Sequence, residues 1–338
     1  MQGTAPMVNA SLLTKRNATN TAMKQFYSLL MILTCILGLA QCGFSQNSNQ
    51  KIYLGYTKAS LDSAYTQIYW APNFKAVAQQ LKSLNSHTQS SIGKAERIQY
   101  GNTEVEQLDM YAPKRKNAPV HIFIHGGAWQ VGNGSGEQAY NGRKFVELGV
   151  MYVAPDYELV TNTNRSLYPM VEQLRKAVVW TFKNAKKYGG NPDNIYISGH
   201  SSGAHLAGVL LTTDWTKYGV PTNVIKGAFL CSGMYDLYPV SLSSRNKYVE
   251  FTDKMVKDLS PINHIAQINA PVVLAYGTNE SPEFKRQSQE FAEALKKQSK
   301  QVDLLILEGY NHFELIVALG NPYDIPGEIM IKQMKIDR

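Results

Sequence analysis

The sequence predicts an α/β fold, a mainly parallel central sheet with helices on both faces, preceded by an N-terminal arm or cap. Three observations predict it. From Glu104 onward short apolar runs alternate with helix-like stretches. One of those runs feeds directly into a glycine-bracketed turn and then a helix. Apolar residues make up 44% of the 338, enough to fill one large core.

The elements follow in order. Residues 46–100 carry no strong strand pattern, but Ala76 to Lys82 is helix-like, and Tyr65, Tyr69, Trp70 and Phe74 give the segment an aromatic side, so it reads as the arm or cap. The catalytic domain is expected over 101–338. Strands are predicted near 104–111, 119–124 and 149–154, a helix near 169–188, a strand at 194–198, a helix at 202–212 and a strand at 225–231. Residues 232–270 are irregular and rich in Ser, Tyr and Asn, as an insertion over a site would be. A strand at 271–277, a helix at 283–298, a strand at 302–307 and a terminal helical segment complete the pattern.

Residues 1–45 read differently, as a leader and signal peptide. The apolar run from Phe26 to Ala40 follows Met23-Lys24 and is too short to span a bilayer, and no comparable run occurs later. Export to the periplasm or medium is the expectation. Leu39-Ala40-Gln41-Cys42 also resembles a lipoprotein box, but Gln41 stands where a small residue is usual, so anchoring through Cys42 ranks second. N-terminal mass spectrometry of the exported protein decides this, and an intact Met23 would overturn export.

The net charge of +8 falls to +5 once the three leader cations, Lys15, Arg16 and Lys24, are set aside. The clusters Lys114-Arg115-Lys116 and Lys183, Lys186, Lys187 read as solvated faces, and no nucleic-acid partner is expected. Only Cys231 lies beyond the leader, so neither an intramolecular disulfide nor a cysteine metal site can form there. No cofactor and no metal are expected.

The chemistry is carried by four segments. Gly199-His200-Ser201-Ser202-Gly203 lies between the strand Asn194–Ser198 and a helix, the setting of a nucleophile elbow with Ser201 exposed at the sheet's edge. Its glycines are needed because a Cβ beside the strained serine would strike the neighbouring strand or helix. A serine hydroxyl needs an imidazole to take its proton and a carboxylate to fix that imidazole's tautomer. Glu280, three residues past the strand ending at Gly277, and His312, past the strand 302–307, supply both in the order nucleophile, acid, base. Upstream, the strand 120–124 runs into His125-Gly126-Gly127-Ala128-Trp129, an oxyanion loop whose Gly126 and Gly127 N–H groups would act with that of Ser202. Glu283 is the fallback acid. Asp156, Tyr157, His87, His121, His200, His205 and His264 read as structural, and Gly132–Gly136 resembles a phosphate loop only superficially.

With these motifs in place, the chain resembles the arylformamidases, or kynurenine formamidases, of the α/β-hydrolase superfamily, relatives of the hormone-sensitive-lipase-like esterases. The resemblance covers roughly residues 55–315 and rests on Thr213–Val220, Ser232–Pro239 and Ser281-Pro282-Glu283-Phe284 with Arg286-Gln287-Ser288. It implies the α/β-hydrolase fold and the triad Ser201, Glu280 and His312. Glu280 departs from the aspartate usual in the family. The signal peptide is a second departure, and with it the expectation is a carboxylesterase acting on small or aromatic esters, with aryl formamides as the alternative substrate. A non-catalytic binding protein on the same fold and a metal-dependent amidohydrolase are the rivals from other classes.

Overall fold

A computed structural model describes residues 49–134 and 136–336; the expected leader, with Cys42, lies outside them. A short hairpin, β1 (Lys51–Tyr53) and β2 (Tyr56–Thr57), leads into α1 (Lys58–Ala64). The start of α1 is fixed by a capping box: Thr57 Oγ1 accepts from the Ser60 N–H, and Ser60 Oγ accepts from the Thr57 N–H. Helix α2 (Phe74–Ile92) extends the helix expected at 76–82 in both directions. The chain continues through β3 (Glu96–Gln99), β4 (Gln107–Tyr111), β5 (Ala118–Ile124), α3 (Ala139–Glu147), β6 (Met151–Pro155), α4 (Tyr168–Asn184) and β7 (Gly190–His200). It closes with α5 (Ser202–Leu211), β8 (Ile225–Cys231), α6 (Leu237–Ser241), α7 (Asp253–Leu259), β9 (Val272–Gly277), α8 (Pro282–Lys297), β10 (Val302–Leu307), α9 (Glu314–Gly320) and α10 (Ile325–Gln333).

Eight strands form one sheet in the order β10-β9-β8-β7-β5-β6-β4-β3, with β4 antiparallel to both neighbours and every other pair parallel. Three expectations are corrected. The sheet begins at Glu96, inside the segment read as arm; a helix at 139–147 went unpredicted; and the helix expected to reach residue 188 ends at Asn184, followed by a 3₁₀ turn. The expected insertion at 232–270 contains α6, α7 and two 3₁₀ turns.

Alternation along β5 separates two layers. Val120, Ile122 and Ile124 pack with Leu174 of α4, Leu206 of α5 and Phe291 of α8. Phe123 packs on the opposite side with Phe145 of α3 and Met330 of α10. Each such side chain contributes about 1.5–3 kcal/mol on burial. From β5 the chain steps to β6 on one side and then returns to β7 on the other, so β5 and β7 flank a topological switch point. A crevice opens there at the carboxyl ends of the strands.

One charge lies within the second layer. Lys144 is 1% exposed, its Nζ donates to the Leu319 carbonyl in α9, and it stands 4.7 Å from the centre of the Phe145 ring. Burial pulls its amine from the usual 10.5 down to about 7. Between those two values the unfolded chain holds a proton that the folded one lacks, so stability rises with pH across the window. Lys144→Met is expected to raise the melting temperature at pH 7 and to flatten the rise between pH 7 and 10. An unaltered slope in thermal unfolding would contradict this origin.

Candidate active site

The elbow is built by the collision of β7 with α5. Ser201 adopts φ 57°, ψ −124°, a left-handed backbone that costs a serine about 1–3 kcal/mol. Its N–H donates to the Cys231 carbonyl at 2.9 Å, extending the β7–β8 ladder by one bond, and its carbonyl accepts from the His205 N–H as α5 begins. A Cβ on Gly203 would lie 2.2 Å from the Ile124 carbonyl oxygen, and one on Gly199 would lie 2.4 Å from that of Gly203. Only glycine lets helix and strands approach this closely. Contrary to the sequence reading, Ser201 is not exposed: it is 6% accessible and lines a cavity of about 640 Å³. The N-terminus of α5 is directed at this point, so its peptide dipoles favour negative charge there.

Glu280 and His312 meet in the interior. Glu280 Oε1 lies 2.5 Å from His312 Nδ1, and the residues are 1% and 3% exposed. The other carboxylate oxygen accepts from Ser232 Oγ at 2.7 Å and from the Gly277 N–H at 2.9 Å. Both oxygens of the buried carboxylate are therefore satisfied, which offsets its desolvation. With Nδ1–H directed at the carboxylate, Nε2 is left as the acceptor, the tautomer a general base requires. The His312 carbonyl accepts from His200 Nε2 at 2.8 Å, and the Phe284 ring meets the imidazole edge-on at 4.9 Å, so backbone and ring are both held. No hydrogen bond joins Ser201 Oγ to the imidazole among the described residues. Such bonds are often long in ligand-free sites and tighten on substrate binding.

Glu283, the fallback acid, is engaged elsewhere: it pairs with Arg286 and accepts from the Tyr65 hydroxyl. Ser232 opens the run Ser232–Pro239 that carries the family resemblance, but sequence reasoning gave it no role in holding Glu280. It adopts φ 54° just after β8, and its bond to Glu280, 48 residues away, leaves no local pattern.

The loop expected to hold the oxyanion leaves β5 and turns through three consecutive positive-φ residues, Gly127 (116°), Ala128 (55°) and Trp129 (63°). A Cβ on Gly127 would lie 2.0 Å from the Val131 carbonyl oxygen, and one on Gly126 would lie 2.7 Å from that of His200. No described hydrogen bond engages the N–H groups of Gly126, Gly127 or Ser202. The loop is pinned from both sides. His125 stacks on the Tyr157 ring at 4.3 Å, and the Tyr157 hydroxyl donates to the His125 carbonyl at 2.7 Å. Trp129 donates its backbone N–H to Ser202 Oγ and its indole N–H to His205 Nδ1, each at 3.2 Å. His205 Nε2 in turn donates to the Leu259 carbonyl. Burial lowers the His205 pKa to about 4, so the ring is neutral at pH 7 and can accept at one nitrogen while donating at the other.

The residues read as structural take supporting places. Asp156 pairs with Arg97 and accepts from the Gly134 N–H, and His121 is buried against Phe145. Cys231 is a buried free thiol, and burial pushes its pKa up. Among the described residues no group of His, Cys, Asp or Glu could hold a metal ion, and no helix is long and apolar enough to cross a membrane.

Over Ser201 the cavity is walled mainly by Ile68, Phe74, Val77 and Leu81 from the N-terminal segment, with Phe313 and Ile316. Ser244 and Tyr248, from the segment between β8 and β9, complete it. Of the expected aromatic side, Tyr65 and Phe74 line the cavity, whereas Tyr69 is exposed.

The chain is similar to known hydrolases over most of its length. A family profile described as BD-FAE matches residues 108–226. Kynurenine formamidase of Salmo salar is 32% identical over 291 residues, covering 82% of this chain and 96% of that protein. The Danio rerio kynurenine formamidase is 30% identical, covering 82% and 97%. The chain belongs to the kynurenine formamidase family. Among solved structures, the Pyrobaculum calidifontis esterase superposes with a TM-score of 0.61 at 18% identity, covering 79% of this chain and 95% of that one. The α/β-hydrolase fold is thus common to a formamidase family and to esterases, and this member is a hydrolase.

Proposed function

We propose that the protein is a cofactor-independent serine hydrolase that cleaves small or aromatic carboxylic esters through an acyl-enzyme. The observation that carries this reading is convergence in one cavity: a strained serine, a carboxylate-held imidazole and the backbone N–H groups of Gly126 and Gly127, which no described hydrogen bond engages, with that of Ser202 adjoining the serine. Ser201 Oγ attacks the carbonyl carbon while His312 Nε2 takes its proton. The N–H groups of Gly126, Gly127 and Ser202 hold the resulting oxyanion. His312 returns the proton to the leaving alkoxide, and water then attacks the acyl-serine by the same route in reverse. Glu280 acts through His312, as a positioning group that also stabilises the imidazolium.

The full-length relationship to the kynurenine formamidases favours a second substrate, an aryl formamide, for which the leaving group is an arylamine and every other step is unchanged. The deciding experiment compares phenyl and p-nitrophenyl acetate with N-formylkynurenine, alongside a fluorophosphonate probe. Ester turnover, insensitive to chelators, together with probe attached to Ser201 is expected. A formamide kcat/KM exceeding the ester values would move the assignment to the second reading, and an unlabelled, inert protein would leave only a binding role on this fold.

A further inference from the structure

We propose that Arg245 recognises a carboxylate on the substrate, so that the ester or formamide presented to Ser201 is an anionic one; this rests on the serine-hydrolase reading above. Arg245 lies in a 3₁₀ turn, Ser244–Lys247, between β8 and β9. Its side chain enters the wall of the cavity that holds Ser201 and His312, yet it is only 6% exposed. Among the described residues no acid pairs with it. The carboxylates on that side are committed: Glu280 to His312, Glu283 and Glu290 to Arg286, and Asp236 to the cap of α6.

The donors of Arg245 are only partly used. Nη1 donates to the Tyr248 hydroxyl and Nη2 to the Tyr65 carbonyl, each at 3.0 Å, while the buried Nε has no partner. The guanidinium also faces the Trp129 ring, at 5.5 Å from its centre. A guanidinium stays charged in any protein setting. Two neutral acceptors and a ring compensate its desolvation less well than a counter-charge would. With its charge uncompensated and one N–H of each Nη engaged by no described hydrogen bond, the guanidinium fits a planar carboxylate best. Trp129 links this cation to the reacting centre, because its backbone N–H is bonded to Ser202 Oγ beside the nucleophile. The site thus pairs an apolar wall for an aryl or alkyl body with one fixed positive charge.

The test uses matched pairs in which a carboxylate is replaced by its primary amide. The acetyl ester of 3-(hydroxyphenyl)propanoic acid carries the charge on the leaving group, and phenyl hydrogen succinate carries it on the acyl group. The readout is the ratio of kcat/KM for the acid to that for the amide. In at least one pair Arg245→Gln should lower this ratio by about 10–100-fold, the range of one charge-assisted hydrogen bond, with Arg245→Lys falling between. Equal losses for acid and amide would reduce Arg245 to a brace between the turn and Tyr65, and overturn the proposal. Should Arg245→Gln fail to fold, the unaltered protein still answers: 3-(hydroxyphenyl)propanoate should inhibit neutral-ester turnover at a concentration at least about tenfold below that of its amide, for the same reason, and equal inhibition overturns it. Absence of turnover with every ester and formamide would instead sink the hydrolase reading itself, a separate outcome.

Discussion

Ser201→Ala is expected to lower kcat for p-nitrophenyl acetate by about 10⁵–10⁶-fold, the scale seen when the nucleophile of a serine hydrolase is removed. Folding should survive. Ser201 Oγ takes part in no described hydrogen bond, and alanine fits wherever serine does, so thermal unfolding should move by no more than a degree or two. The loss should fall on kcat, because the cavity wall and the oxyanion donors remain and KM reports mainly those. Residual activity well above the uncatalysed rate is compatible with the assignment, since a preorganised oxyanion hole stabilises water attack as well. Turnover close to that of the parent protein would mean that the nucleophile lies elsewhere.

Glu280→Gln is expected to cost about 10⁴-fold in kcat, as neutralising the triad acid does when geometry is preserved. The physical cause is specific to this pocket. Glu280 accepts three hydrogen bonds, from His312, Ser232 and the Gly277 N–H. A glutamine amide has a single oxygen to offer, so its NH₂ must face either His312 or the donors behind it. In the first case the imidazole is forced into the wrong tautomer; in the second, the NH₂ opposes the Gly277 N–H and the Ser232 hydroxyl must turn to accept. Glu280→Asp should retain more activity than Glu280→Gln, because charge is kept and only reach is lost. Equal rates for the Asp and Gln variants would show that the carboxylate's charge is not what His312 needs.

Much of this site was legible because its chemistry constrains the backbone. An elbow needs glycine on both sides of the serine, and the clashes predicted for a Cβ at Gly199 and Gly203 are the ones observed. Glu280 and His312, the candidate acid and base, follow strands whose apolar runs are plain in the sequence. What escaped notice had no periodicity to betray it. Strand β3 reads Glu-Arg-Ile-Gln at the sheet's edge, with only Ile98 facing the core, too little for an alternation signal. Helix α3 carries Asn141 and Gly142, poor helix formers retained where a Cβ on Gly142 would strike the Tyr152 ring. Ser232 and Arg245 matter through partners 48 and 180 residues away along the chain, and no local pattern records such pairings.

The chamber over Ser201 draws its wall from residues 68–81 and its base from residue 312, so contributions nearly 250 positions apart must meet before substrate can be held. During synthesis the first part of that wall is made long before residues 312–316, the part that faces it across the cavity. A chain cut before residue 312 therefore lacks both the imidazole and one side of the chamber, and the rate of ester cleavage measures how much of a preparation extends past that point and has closed correctly.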